Sequence, residues 1–352
     1  MTDPGSRAAA PAPRPGFIRR HRGWFIAFLS LVLVLILIVV GFAWILNKSV
    51  NDVARVPVKL NPDTRPSPDN SRDLNILLLG ADAGKSRNGP DTSIIRDAES
   101  STWPRGKYRS DATMLMHIAA DRKKAYVISI PRDSYVPLYD GTGQKRSRQK
   151  INAALSLHGP SGAIATVENF IDQRIDHMAM IDWDGFEDIT DAVGGVSLAV
   201  PGHGKVRLGG KKALEYVRER YKLPEGDFDR VRRQQNFLRA IMSKVISKGT
   251  MTNPVKLTKT VKAVTKNMAV DADWSTSEMR SLAWAMRNVR TSDVTFLTIP
   301  IQGTKNDPEV GSIDIVDKDG CEDLFKALED DDVDAFLASY PHTRLGAPGS
   351  VN

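Results

Sequence analysis

The chain has little cysteine: Cys321 stands alone among 352 residues, so no intrachain disulfide can staple the fold and no Cys-rich metal site can form. A domain of ordinary size is stable without bridges, so this scarcity leaves export open. The six histidines are scattered, with neither a His-x-x-x-His nor a His/Cys spacing for zinc. No Gly-x-Ser-x-Gly elbow occurs, and Cys321 lies in an acidic tail, which argues against nucleophilic hydrolysis. Internal repeats are lacking as well. With 41% hydrophobic and 26% charged residues, 26 Gly and 20 Pro, the composition is that of a globular chain with an ordinary core. The length suits one large domain with appendages.

Charge is distributed unevenly. Residues 1–23 carry five Arg against one Asp, residues 304–352 carry four basic and twelve acidic groups, and the middle holds the basic excess. A basic globular region predicts an anionic partner: nucleic acid, a phosphorylated glycan or a lipid phosphate. Between Arg22 and Lys48 no charge occurs at all, and residues 23–47 are dominated by Leu, Val, Ile and Phe, with Trp24 and Trp44 near the ends. That run is long enough to span a bilayer. It is too long for the apolar region of a cleavable signal and lacks a small-x-small exit, so it reads as an uncleaved anchor. Arg14, Arg19, Arg20 and Arg22 precede it, which places the N-terminus in the cytoplasm and the rest outside the plasma membrane. An outward domain meets envelope polymers and lipid head groups, so nucleic acid is not expected as a partner.

Residues 1–22 read as a disordered cytoplasmic tail, 23–47 as the anchor and 48–72, with four prolines after Val56, as an extended linker. The main domain is expected over 73–303 and an acidic, solvated appendage over 304–352. Strand-like runs fall at 74–79, 112–118, 124–130, 177–181, 196–200 and 294–299. Helical patterns fall at 161–171, 183–193, 211–217, 228–248, 254–267 and 277–289. The interleaving, with the unbroken apolar run of Asn75-Ile-Leu-Leu-Leu, predicts a central sheet covered by helices on both faces.

Four segments carry chemistry. The first strand ends on Gly80 and delivers Asp82 past its C-terminal end, the edge ligands favour. Ala83-Gly84-Lys85-Ser86 follows, but only three residues separate Gly80 from Gly84 where a nucleotide-binding P-loop needs four, and the sequence after it breaks the required helix. Arg109-Ser-Asp111 opens a second strand. Asp82 and Asp111 suit a hard divalent cation, Mg²⁺ or Mn²⁺, that shares ligands with a diphosphate; turn or cap roles are the other reading. Ser129-Ile-Pro-Arg132-Asp133 closes a third strand with a guanidinium fork for phosphate, and Lys150-Ile-Asn-Ala-Ala154 places a cation at a helix start, after an exposed loop at 141–149. Residues 205–239 hold eleven cations and five acids. Arg218 and Arg220 face the same way only on extended backbone. Asp227 would cap a helix whose first turns bring Arg230 and Gln234 together, with Gln234 inside the apolar stripe of Val231, Leu238, Ile241, Met242 and Val245 and in need of a buried polar partner.

Taken in order, these segments, with Val193-Gly-Gly-Val196, Ala213-Leu-Glu-Tyr-Val-Arg-Glu-Arg220 and Gly226-Asp-Phe-Asp-Arg-Val-Arg-Arg-Gln-Gln235, resemble the LytR-CpsA-Psr envelope phosphotransferases over about residues 73–250. The resemblance implies a three-layer α/β/α fold on a central mixed sheet, here preceded by one transmembrane helix. It also implies transfer of a glycan phosphate from a polyprenyl diphosphate carrier to a peptidoglycan hydroxyl. Asp82 and Asp111 would then serve the metal and the chemistry, with Arg132; Arg109, Arg132, Lys150, Arg218, Arg220, Arg230 and Gln234 would grip the diphosphate. A hydrolase releasing the lipid phosphate to water, or a regulator that only binds the lipid, would use the same cations. One departure lies shortly after the first Asp, where the family usually has Arg: this chain has Ala83-Gly84-Lys85, leaving Lys85 or Arg87 as a substitute.

Overall fold

A short strand, β1 (Ala54–Val56), and a long one, β2 (Leu74–Ala81), open the central sheet. β2 sends Leu77, Leu79 and Ala81 to one face and Ile76 and Leu78 to the other. Both faces are covered, which is why its sequence reads as an unbroken apolar run. The computed structural model describes residues 48–68, 72–83, 94–100, 103–200, 203–219 and 223–351. The expected anchor at 23–47 lies outside them, and among the described residues no helix is long and apolar enough to cross a membrane.

After helix α1 (Ile94–Glu99) come β3 (Ser110–Ile118), β4 (Ala125–Ile130) and a hairpin of β5 (Tyr135–Tyr139) with β6 (Lys145–Lys150). Helix α2 (Ala153–Ile171), broken at Gly159, leads into β7 (His177–Ile181) and α3 (Trp183–Ala192). A second hairpin, β8 (Val196–Val200) with β9 (Gly204–Leu208), precedes α4 (Gly210–Arg218), α5 (Asp227–Val245) and α6 (Pro254–Asn267). Then follow β10 (Met268–Asp271), α7 (Thr276–Ala285), β11 (Val294–Thr298), the pair β12 (Ile301–Asp307) and β13 (Gly311–Val316), α8 (Lys318–Glu329) and α9 (Val333–Ser339).

The sheet order is β1-β10-β7-β2-β3-β4-β11. It is mixed: β2 runs parallel to β7, β4 to β11 and β1 to β10, while β3 is antiparallel to both neighbours. On one face α2, α8 and α9 bury Leu155, Ile164, Leu324, Phe325 and Phe336 against Leu77, Ile128 and Met178. On the other, Leu238 and Met242 of α5 and Met279 and Leu282 of α7 cover Ile76, Met114 and Phe296. A third cluster joins α3, α4 and α5 around Trp183, Val217 and Phe237. The α/β/α layering expected from the sequence is therefore present.

Four local expectations are corrected. Residues 196–200 form a strand, but it pairs with β9 outside the central sheet. The supposed loop at 141–149 contains β6, paired with β5. The linker is part of the domain: β1 joins the sheet beside β10, and the Arg65 guanidinium bonds the buried Glu168 carboxylate at 2.6 Å. The acidic end is no solvated appendage, because Cys321, Leu324, Phe325 and Leu328 recur at helical spacing on α8 and fill the main core, while its acids face outward. Leu345 and Val351 close the opposite core.

Candidate active site

The C-terminal end of β2 meets the start of β3 through a register shift: Gly80 pairs Ala112 and Ala81 pairs Ser110, leaving Asp111 as the extra residue of a bulge. Such a bulge re-aims a side chain at the sheet's rim. Asp82 follows at once, its amide donating to the Arg109 carbonyl at 2.7 Å. Asp82 and Asp111 thus stand at one edge, on adjacent strands. The Trp183 indole, at the first turn of α3, donates to Asp82 Oδ1 at 3.1 Å, and Arg218 at the end of α4 lies 5.2 Å over the same ring. Arg109 is exposed beside them.

Beyond β4 the chain places Arg132 among three carboxylates. Its Nη1 donates to Asp111 Oδ1 at 2.8 Å, and its Nε lies 3.6 Å from both Asp133 and Asp227. Although burial works against the guanidinium charge, Asp111, Asp227 and Asp133 raise its pKa. Lys150 reaches Asp133 at 3.2 Å from the end of β6. The Lys150-Ile-Asn152 segment is laced to the Arg132 turn, with Ile151 N–H donating to Ser134 O and Asn152 N–H to Arg132 O. Asp227 does not cap α5 as expected. Gly226 takes that place at φ 55°, freeing the Asp227 carboxylate for Arg230 at 2.8 Å and for Arg132. Burial lowers the pKa of Arg230. The Nε groups of Arg132 and Arg230 are both buried with no hydrogen-bond acceptor. Two orphaned guanidinium donors side by side call for an anion with several oxygens.

A further carboxylate arrives from the end of the chain. Asp314 on β13 is 4% exposed, its amide bonded to Asp133 O at 2.9 Å and its Oδ2 without a partner. Burial, then Asp133 and Asp227, push its pKa up to about 6, with Lys150 and Arg132 pulling the other way. The unfolded chain releases this proton near the ordinary 3.8 and the folded chain near 6, so ionised Asp314 costs stability that grows between those values and is complete above them. Asp314→Asn is expected to leave thermal stability unchanged near pH 3.5 and to raise it by up to ~3 kcal/mol at pH 7. Melting curves across that range check this, and a pH-independent gain would refute it.

Behind the polar edge lies an apolar cavity of about 290 Å³ between the sheet and helices α3, α5 and α6. Its lining includes Gly80, Ala112 and Ala179 from the strands, Trp183 and Phe186 from α3, and Gln234, Leu238 and Ile241 from α5. The apolar arc read on α5 therefore lines a cavity, and Gln234 points into it. The buried polar partner expected for Gln234 belongs instead to its neighbour: Gln235 Nε2 donates to Ser129 Oγ at 2.8 Å and to the Leu297 carbonyl.

Of the site residues expected from sequence, the structure gathers Asp111, Arg132, Lys150 and Arg230 in one ion-paired cluster and links Asp82 to Arg218 through Trp183. Arg220, Lys85 and Arg87 lie outside the described residues. Sequence reading gave no role to Trp183, Asp133, Asp227 as an ion-pair partner, or Asp314. Asp133 and Asp227 lie inside the motifs named above, whereas Trp183 and Asp314 do not. Among the described residues no group of three or more His, Cys, Asp and Glu is placed to hold a metal. Two hard carboxylates on adjacent strand ends fit a cation that keeps waters and completes its shell with ligand phosphate oxygens.

The fold is thus a mixed α/β/α sheet with buried guanidinium groups and carboxylates at one edge, beside an apolar cavity. The LytR_cpsA_psr family profile matches residues 45–329, and the chain belongs to that family. Cell wall biosynthesis protein LcpA of Corynebacterium glutamicum is 30% identical over 335 residues, 84% of this chain and 64% of LcpA, so the match spans less than two thirds of that relative. TagU of Enterococcus faecalis, named a polyisoprenyl-teichoic acid–peptidoglycan teichoic acid transferase, is 30% identical over 278 residues, 75% of this chain and 83% of TagU. The crystal structure of B. subtilis TagV superposes with a TM-score of 0.58 at 25% identity, covering 75% of this chain and 99% of TagV.

Proposed function

We propose that this protein is a wall-polymer ligase that moves a glycan phosphate from a polyprenyl diphosphate carrier to a peptidoglycan hydroxyl. The observation that carries the reading is the juxtaposition of the apolar cavity with the cation cluster: Gly80, Ala112, Trp183 and Gln234 line the one and adjoin the residues of the other. A lipid tail fits the cavity while its diphosphate meets Arg132, Arg230, Lys150 and Arg218, with Arg109 as a further contact. The name of TagU, a polyisoprenyl-teichoic acid–peptidoglycan teichoic acid transferase, supports the same substrate class, and LcpA is named for cell wall biosynthesis.

In the reaction the acceptor hydroxyl attacks the glycan-bearing phosphorus, the bond to the bridging oxygen breaks, and the lipid monophosphate leaves with the bond's electron pair. Asp82 or Asp111 takes the hydroxyl proton. Arg132 and Arg230, held by carboxylates before substrate arrives, give their unpaired Nε–H donors to the developing charge, and fixed positioning lowers the barrier without a covalent enzyme intermediate. Asp82 and Asp111 would hold Mg²⁺ or Mn²⁺, which supplies charge neutralisation on the phosphates when bound. The uncharged run at 23–47 would anchor the chain in the plasma membrane with this domain outside.

The test incubates the protein with a glycan-bearing polyprenyl diphosphate, divalent cation and peptidoglycan. Attachment of phosphorylated glycan is the expected result. Release of lipid phosphate without attachment would mean a hydrolase, and lipid binding with neither outcome would mean a binding protein.

A further inference from the structure

Residues 230–270 contain ten Arg and Lys and no Asp or Glu. The arginines at the start of that stretch belong to α5 and its ion pairs, but the lysines of α6 have no part in the site. On α6, Thr260 is buried and Leu257, Val261 and Val264 are half-buried as the helix packs over α3. Val255, Lys256, Lys259, Lys262 and Lys266 are exposed. The spacing of 255, 259, 262 and 266 puts them along one stripe. Among the described residues none of these four lysines pairs with an acid, whereas soluble surfaces ordinarily intersperse both signs. Among the described residues, two of the three large apolar side chains standing in solvent occur in the same region: Val255 at 65% exposure, opening α6, and Ile246 at 39%, closing α5.

We infer that the outward face of α6, with Ile246, docks the domain on an anionic lipid bilayer. Lysine head groups with interspersed apolar tips are the chemistry of an interfacial helix: the ammonium groups meet lipid phosphates and the apolar tips enter the boundary. A soluble polyanion would match the lysines but gain nothing from Val255 and Ile246. The placement agrees, since α5 and α6 also wall the apolar cavity through Ile241 and Val264. The parallel pairing of β1 with β10 sets Ala54 beside Ala269, two residues past the C-terminal end of α6. The inference does not depend on the transfer chemistry.

Residues 48–352 form a compact unit with its own cores and can be tested alone. The experiment is flotation with vesicles of phosphatidylcholine, with and without phosphatidylglycerol. Binding is expected only to the anionic vesicles and should weaken with added salt. Each of Lys256→Gln, Lys259→Gln and Lys262→Gln should lower partitioning about fivefold, and Val255→Ser should lower it as well. These side chains are exposed, so circular dichroism should be unchanged and transfer from detergent-dispersed substrate kept, which separates failure here from failure of the ligase reading. Absence of binding, equal binding to neutral vesicles, or wild-type binding by the triple Lys→Gln variant would overturn the inference. So would equally tight binding of soluble polyphosphate combined with no effect of Val255→Ser, which would assign the face to an anionic polymer.

Discussion

Arg132→Ala is expected to lower glycan transfer about 100- to 1000-fold, the loss that follows removal of one aimed donor from a desolvated phosphoryl site. Arg132 is the hub of the cluster, touching Asp111 and facing Asp133 and Asp227, with an Nε that has no acceptor. The substitution also leaves three carboxylates without their shared cation, so stability should fall by on the order of 3 kcal/mol. Arg132→Lys separates the two effects: it keeps the charge that holds the carboxylates and removes the fork. Its melting temperature should lie close to wild type while transfer stays at least tenfold down. Quantifying attached glycan in parallel with thermal unfolding checks both, and a fully active, folded Arg132→Ala protein would remove Arg132 from the site.

The second large effect concerns the cavity. Ala179 on β7 is buried and lines it, and a cavity of about 290 Å³ has room for a phenyl ring, given that about 150 Å³ suffices for benzene. Ala179→Phe should therefore leave thermal stability unchanged or raised. Turnover of the long-chain carrier should fall more than 100-fold, because displacing even four methylenes at ~0.8 kcal/mol each forfeits about 3 kcal/mol of binding. A carrier truncated to one or two isoprene units should be far less affected. Equal loss on long and short carriers would show that the substitution disturbed the polar edge, and no loss on either would place the lipid elsewhere.

How far the chain can be read without its structure depends on where each residue's determinants lie. β2, β4 and β7 are legible because strands buried on both faces must be apolar throughout, which puts Asp82 and Arg132 just past the ends of β2 and β4. β6 was not, since Lys-Arg-Ser-Arg-Gln-Lys is a wholly polar edge whose pairing is fixed by Tyr135-Val-Pro-Leu-Tyr139 across the Asp140-Gly141 turn. In residues 304–352 the many acids mask an amphipathic pattern: Cys321, Leu324, Phe325 and Leu328 recur at the helical period. On α5 the apolar arc was correctly located, but sequence cannot distinguish a face packed on a core from one lining a cavity, and the roles of Gln234 and Gln235 turn on that difference. Trp183 and Asp314 reach the site only through tertiary packing, which no local pattern encodes.

The position of β13 sets an order of events. Asp82, Asp111 and Arg132 belong to the first half of the sequence, yet the strand that lies against Asp133 and the helices that seal that core face come from its last part. A growing chain that has made every cation of the cluster still lacks Asp314 and the cover supplied by α8. The site becomes complete only once β13 and α8 have been made.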